Sequence, residues 1–173
     1  MMVSMTSMDW QAVLVDLLNT TPVVEGAATD ALADDVAARS WLRAHGAVGE
    51  ELDDVRWVRD DLQRVVRGER GPAVLDDYLD GVRQVPRIDA DGLTWSLGDS
   101  VSWPARVVLA WGDLATDSPG RLRPCANDEC RLFLLDRTRS GTARWCSMSA
   151  CGNRMKARRH YSRTTGRSPT PRN

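Results

Sequence analysis

The sequence predicts an α+β protein in two parts: a mainly helical N-terminal domain with one small β-hairpin, and a compact C-terminal module cross-linked by a metal ion. Three observations lead to this prediction. Apolar residues recur at helical spacing through most of residues 8–115. One short segment of that stretch alternates apolar and polar residues instead. All four cysteines of the chain lie between residues 125 and 151.

Helical spacing marks five segments of the N-terminal part. In the second segment, Asp30 or Asp34 is expected to cap the helix, because a carboxylate there can accept bonds from free backbone N–H groups. In the fifth, Ser100 or Ser102 has this role, and apolar residues nearly all round the helix place it at the centre of the core. The five segments span residues 8–22, 28–46, 50–68, 71–84 and 99–115.

Residues 85–98, VPRIDADGLTWSLG, depart from helical spacing. Their second half alternates apolar and polar side chains, which is typical of a strand with two different faces. Turn-forming residues precede that half, so we predict a β-hairpin. The turn residues are Asp89, Asp91 and Gly92.

The chain divides by charge as well as by pattern. Residues 1–120 hold 10 Arg and 21 Asp and Glu, a formal charge of −11, whereas residues 121–173 hold 13 Lys and Arg and three Asp and Glu, a charge of +10. Opposite charge on two parts of a chain indicates an interaction surface, often for nucleic acid. The predicted organisation is a helical domain at 1–115, a linker at 116–123, a metal-binding module at 124–164 and a disordered polar tail at 165–173.

The four cysteines form two C-x4-C pairs separated by 15 residues. In a reducing compartment, clustered thiols are metal ligands more often than disulfides. Two short loops that each supply two thiolates can converge on one tetrahedral Zn²⁺. The predicted zinc ligands are Cys125, Cys130, Cys146 and Cys151.

The residues between and after these pairs predict how the module folds. An extended run at 131–135, a turn and a return strand form a hairpin in the 15-residue gap. Ser147 can cap a helix that starts at Met148 and places Cys151 in its first turn. A loop with two cysteines, a hairpin and a helix with the last ligand are the layout of a treble-clef zinc finger. The predicted fold class is therefore α+β, a mainly helical N-terminal domain followed by a C-terminal treble-clef zinc finger.

The helix after the last cysteine is strongly basic, with no Asp or Glu between Arg137 and Asn173. Surfaces without a partner normally mix charges of both signs. The pattern favours contact with nucleic-acid phosphates, and DNA over RNA, because Arg can read guanine in a major groove. Two alternatives stay open, docking on the acidic N-terminal domain and a simple solvated face. The candidate contacts are Arg144, Arg154, Lys156, Arg158, Arg159, His160 and Arg163.

Three stretches of the sequence, CANDEC, DLLNT and RWCSMSACGNRMKARRHYSR, resemble the CGNR zinc-finger family that carries an ABATE-type N-terminal domain. Members of this family are regarded as bacterial transcription regulators with a link to stress. The resemblance implies a treble-clef zinc site with the four cysteines as ligands. It also implies that Asn19, Thr20, Gly152 and Asn153 are family signature residues.

Physical roles follow for these signature residues. Asn153 can hydrogen-bond across the loops of the zinc site, and Gly152 allows the backbone to pack closely beside a thiolate. Asn19 and Thr20 are expected to cap the C-terminus of the first helix, and a ligand site is the alternative.

The predicted function is zinc-dependent nucleic-acid binding by a transcription regulator. The alternative is a protein-interaction adaptor whose basic helix docks on an acidic protein surface. An enzyme is not expected, because no Gly-rich phosphate loop or nucleophile motif is present and only His160 and Asp136 lie near the basic helix. No export signal or run of about 20 apolar residues is visible, which predicts a cytoplasmic protein without a membrane segment. A homodimer is left open.

Overall fold

A computed structural model describes residues 8–24, 26–47, 49–90, 92–98 and 100–165. The predicted turn residue Asp91 and most of the predicted tail lie outside these residues. The helices are α1 (Trp10–Leu18), α2 (Asp35–Ala44), α3 (Leu52–Arg67), a 3₁₀ helix (Pro72–Leu79), α4 (Trp103–Asp117), a π-helical turn (Met148–Gly152) and α5 (Asn153–Thr165). The strands are β1 (Val23–Val24), β2 (Ala27–Ala28), β3 (Gln84–Asp89), β4 (Gly92–Leu97), β5 (Leu122–Pro124) and β6 (Phe133–Leu135). The predicted α+β class is confirmed.

Helices α1, α3 and α4 pack together and form the core of the N-terminal part, which we call the helical body (residues 8–117). Each helix buries one apolar stripe, and each fully buried Leu or Val contributes roughly 1.5–3 kcal/mol of transfer free energy. As predicted, α4 is central, with residues buried on most sides. Core residues include Leu14, Leu17, Leu18, Val55, Val58, Leu62, Trp103 and Val107.

Side-chain caps set where these helices begin. Asp34 accepts a bond from the backbone N–H of Ala37 at 2.9 Å and begins α2. The other candidate, Asp30, lies outside the helix, where its carboxylate accepts from the N–H of Leu32 at 2.8 Å. Ser102, rather than Ser100, caps α4.

The fourth predicted helix is a 3₁₀ helix, and the predicted hairpin is present. The phenol of Tyr78 links the 3₁₀ helix to α3, because it donates to Asp61 at 3.0 Å. Strands β3 and β4 pair antiparallel, with Asp89 opposite Gly92 at the turn. No helix of the described segments is both long and apolar enough to span a membrane.

Half of the predicted linker at 116–123 is helix or strand. Helix α4 continues to Asp117, and β5 begins at Leu122. Strand β5 pairs antiparallel with β6, and Phe133 at the start of β6 is 1% exposed within the core of the helical body. The two parts of the chain therefore share one apolar core.

The prediction of a hairpin within residues 131–145 is wrong, because the first strand of that segment pairs with a different strand. Strand β6 pairs with β5, which precedes the first cysteine, and residues 136–143 form a loop. The loop folds around the buried carboxylate of Asp136, which accepts bonds from the N–H of Thr138 and the N–H of Ala143, both at 2.9 Å. Arg123 of β5 also pairs with that carboxylate. The hydroxyl of Thr138 is a fourth donor, and together these four donors fix a loop that the sequence pattern presents as a turn.

Candidate metal centre

The four cysteine sulfurs form one cluster, in which every pair lies within 4.8 Å. Cys130 Sγ is 3.7 Å from Cys146 Sγ, and Cys146 Sγ is 3.6 Å from Cys151 Sγ. Four sulfurs placed tetrahedrally at the usual Zn–S distance of 2.3 Å are separated by about 3.8 Å. The cluster therefore has the dimensions of a tetrathiolate zinc site.

Different local structures supply each pair of ligands. Cys125 directly follows β5, and its N–H donates to the carbonyl of Leu132 at 2.8 Å, which closes the first loop. Cys146 ends the Asp136 loop, and Cys151 lies in the π-helical turn. Ser147 caps this turn as expected, with its hydroxyl oxygen accepting from the N–H of Ala150 at 3.1 Å.

Burial makes thiolates costly here unless a cation compensates. It raises the pKa of Cys130 to about 11, and it raises the pKa of Cys146 further. Burial also opposes ionisation of Cys151, but hydrogen bonds from Asn127 and from neighbouring thiols outweigh it and lower the pKa of Cys151. A divalent cation favours deprotonated sulfur at all four positions.

The hydrogen bond across the zinc loops comes from Asn127, not from Asn153. Asn127 is 0% exposed, and its Nδ2 donates to Cys151 Sγ at 3.4 Å. Its Oδ1 accepts from the N–H of Glu129 at 3.4 Å. Asn153 is exposed at the start of α5. The signal for Asn127 is its position inside the first C-x4-C loop, where an amide can reach a facing thiolate.

Gly152 allows close packing, but the nearest side chains are not thiolates. A Cβ atom at this position would lie 2.7 Å from Met148 Sδ and 3.3 Å from Trp145 Cδ1. A side chain here would require the flexible end of Met148 to shift and Trp145 to move slightly. Gly152 therefore allows the turn that carries Cys151 to close on itself.

Asn19 connects the helical body to the zinc module, which we define as residues 121–165. It forms the C-cap of α1, as expected. In addition, its Oδ1 accepts from the N–H of Phe133 at 2.7 Å and its Nδ2 donates to the carbonyl of Phe133 at 3.2 Å. Thr20 is buried and donates to the carbonyl of Leu17 at 2.8 Å. Sequence reasoning proposed the cap but missed the bridge to Phe133, which joins residues 114 positions apart.

The seven candidate nucleic-acid contacts all have exposed side chains. Arg144 lies over the ring of Trp145, with its Cζ 5.3 Å from the ring centroid. Arg158 pairs with Glu129 of the first zinc loop at 2.5 Å. Within the described part of the chain, Arg137 and Asp9 form the one ion pair between the module and the helical body, at 3.6 Å. Among the described residues, no ion pair joins α5 to the acidic body.

The four thiols form one cluster, and the bulky apolar residue Phe133 of the same module is buried in the neighbouring core. These two features define a structural zinc-finger protein. Residues 121–164 match the family described as "CGNR zinc finger", and residues 11–128 match the ABATE family, described as "Putative stress-induced transcription regulator". The ABATE match covers more than half of the chain, so the chain belongs to this family. No curated protein matches it significantly.

These matches confirm the resemblance seen in the sequence, and the chain binds zinc through its four-cysteine cluster. The two matched regions overlap at residues 121–128, which include β5 and Cys125. This overlap is the segment that the structure shares between the helical body and the zinc module. The treble-clef layout itself stays a prediction.

Proposed function

We propose that this protein is a zinc-dependent transcription regulator of the bacterial type and that α5 contacts the phosphate backbone of nucleic acid. The observation that carries the proposal is the exposed basic surface of α5. This 13-residue helix has no acidic residue, and its described side chains are exposed or half-buried. A cationic helix held away from its own acidic body suits a polyanion.

The distribution of charge around α5 supports insertion into a groove. At 3.6 residues per turn, Arg154 and Arg158 lie on one side of the helix, and Lys156, Arg159 and Arg163 lie on the opposite side. A helix in a groove has phosphates on both flanks, so cations on two sides can be used at once. An α-helix with its side chains has a diameter of about 10–12 Å, which suits a major groove about 12 Å wide.

We favour DNA over RNA for the same reason. The major groove of B-form DNA admits an α-helix, whereas that of A-form RNA is too deep and narrow for side chains to read. The negative charge of the helical body also supports binding through α5, because it repels phosphates from the rest of the surface.

We also propose a binding role rather than a catalytic one, in the reducing environment of the cytoplasm. A zinc ion with four cysteine ligands keeps no open position for a substrate. The nearby candidate base Asp136 is fully used by its donors, and hydrogen bonds from Thr138 hold the pKa of that carboxyl below its usual value. His160 lies exposed on α5, with no catalytic neighbour suggested by the sequence.

One observation favours the adaptor alternative. The β3–β4 hairpin presents Ile88, Leu93 and Trp95 on one face, and each of these side chains is more than 60% exposed. An exposed apolar face of this kind is typical of protein contacts, and a second copy of the chain is one such partner. This face is separate in sequence from α5, so a protein contact there is compatible with nucleic-acid binding by α5.

Charge reversal on α5 tests the proposal. Arg154→Glu combined with Arg159→Glu is expected to weaken binding to duplex DNA at least tenfold and to reduce the salt dependence of binding by about two ions. The matched control is Arg83→Glu, just before β3, combined with Arg87→Glu in β3; both residues are exposed, and the change of charge is the same. Fluorescence anisotropy with duplex DNA, duplex RNA and an anionic polymer gives the affinities, and metal analysis checks that zinc is retained.

Equal loss of affinity in both variants would show that only net charge matters. Unchanged DNA affinity in the α5 variant would contradict the proposal and support the adaptor. Equal weak binding of the natural protein to all three polyanions would contradict the proposal of sequence-specific regulation.

A further inference from the structure

A polar cleft of about 600 Å³ lies where the helical body meets the zinc module. Its walls are the C-terminal half of α3, the segment around β2 and Arg131, the residue that follows the zinc ligand Cys130. The ionisable residues that line it are Asp30, Arg59, Asp60, Arg64, Arg67, Glu69 and Arg131.

Three of these charges pair with one another at the base of the cleft and leave a formal charge of −1 there. Arg59 is 4% exposed, and its guanidinium donates to Asp30 at 2.6 Å and to Asp60 at 2.9 Å. This triad accounts for both aspartates. Arg64 pairs with Asp61 at 3.5 Å. Among the described residues, the lining charges without an ion pair are therefore Arg67, Arg131 and Glu69.

Arg67 is a half-buried cation with neutral partners. Its Nη2 donates to the carbonyl of Arg131 at 3.2 Å, its Nη1 donates to Gln63 Oε1 at 3.4 Å, and its guanidinium lies 4.5 Å from the centre of the Phe133 ring. Burial lowers the pKa of Arg67, and the nearby charge of Arg131 lowers it further, whereas Glu69 opposes this change. Two arginines that repel each other in a partly dehydrated cleft are stabilised by an anion placed between them.

We propose that this cleft is a binding site for a small molecule that carries a phosphate or carboxylate group, gripped by Arg67 and Arg131. Arginine suits this role because its planar guanidinium can bind an oxyanion through two parallel N–H bonds. Thr29 and Thr21 add hydroxyl groups to the wall. Glu69 also lines the cleft, and its negative charge opposes the binding of an anion.

A ligand in this cleft would act on both parts of the molecule. Arg67 ends α3, and Arg131 lies between the ligand Cys130 and the buried Phe133. An anion that bridges the two guanidinium groups ties α3 to the first zinc loop. Binding is therefore expected to stabilise the junction between the helical body and the zinc module.

Arg131→Gln is the informative variant. The structural bond from Arg67 uses the backbone carbonyl of Arg131, so this substitution removes the side-chain charge and leaves that bond in place. The matched control is Arg83→Gln, which makes the same charge change at an exposed residue just before β3. Calorimetric titration of the zinc-loaded full chain with inorganic phosphate, glycerol 3-phosphate and succinate distinguishes phosphate from carboxylate ligands.

The expected result is saturable binding of at least one probe, weakened at least tenfold in Arg131→Gln and unchanged in Arg83→Gln. Glu69→Gln is expected to tighten binding severalfold. No saturable binding of any probe, or equal binding by Arg131→Gln and the natural protein, would overturn the proposal.

A third outcome concerns the nucleic acid. If Arg131→Gln weakens DNA binding and no small anion binds, the cleft contacts DNA phosphates and the small-molecule site is refuted. The Arg154→Glu and Arg159→Glu variant is expected to bind the anion normally, so failure of the α5 proposal and failure of this one give different results.

Discussion

The helical body and the zinc module reach a folded state in different ways. The body buries leucines and valines from three helices around one core. The module buries mainly cysteines and polar groups, including Asn127 and Asp136, and places its one phenylalanine in the core of the body. Structural zinc ions contribute about 10–16 kcal/mol to folding, which is comparable with burying several leucine side chains. The difference shows that the module depends on the metal, whereas the body depends on packing.

The junction between them is small and specific. It includes the Phe133 ring in the core, the two hydrogen bonds between Asn19 and the backbone of that residue, the contacts of Arg67, and the ion pair between Arg137 and Asp9. Because β6 lies between the two cysteine pairs, the position of Phe133 depends on the zinc site. The two sources of stability are therefore expected to be coupled.

The largest effect is expected from Cys151→Ser. Loss of one thiolate removes most of the stabilisation by zinc, about 10 kcal/mol for sites of this kind. We expect residues 121–165 to lose protection from hydrogen exchange and the helical body to keep its helices with a lower melting temperature. Metal analysis, hydrogen exchange and circular dichroism measure these changes. A body that melts as in the natural protein would show that Phe133 does not couple the two parts.

A cavity in the body gives the reverse test. Leu17→Ala is expected to lower the free energy of unfolding of the body by about 3 kcal/mol, because Leu17 is 0% exposed. Zinc content is expected to stay at one ion per chain, since the sulfur ligands lie outside the cavity. Urea unfolding and metal analysis check both expectations. Val36→Ala at an exposed site is the control, and loss of zinc in Leu17→Ala would mean that the module cannot form without an intact core.

The junction itself is tested by Asn19→Ala. This variant leaves the N–H and the carbonyl of Phe133 without their side-chain partner, which is expected to cost about 2 kcal/mol. Asn153→Ala removes the same side chain from an exposed position and is expected to change stability by less than about 0.5 kcal/mol. Equal effects in urea unfolding would contradict the assignment of Asn19 as the bridge.

Sequence patterns predict the helices and strands of this protein better than they predict which strands pair and which distant residues make contact. The apolar stripes of α1, α3 and α4 and the alternation in β4 follow from local spacing, and the zinc ligands follow from the paired cysteines. The partner of β6 could not be predicted, because the short apolar run RLFLL fits either neighbouring strand and tertiary contacts decide between them. The same holds for Asn127 and Asn19, since hydrogen bonds between distant residues leave no periodic signal.

The placement of Phe133 has a consequence for how such a finger can be inherited. If the zinc module were joined to an unrelated protein, the ring of Phe133 would be exposed to solvent. The helical body left behind would contain a cavity in its core. Recombination that separates the two parts is therefore expected to destabilise both the zinc module and the helical body. The helical body and the zinc module are therefore expected to be inherited together.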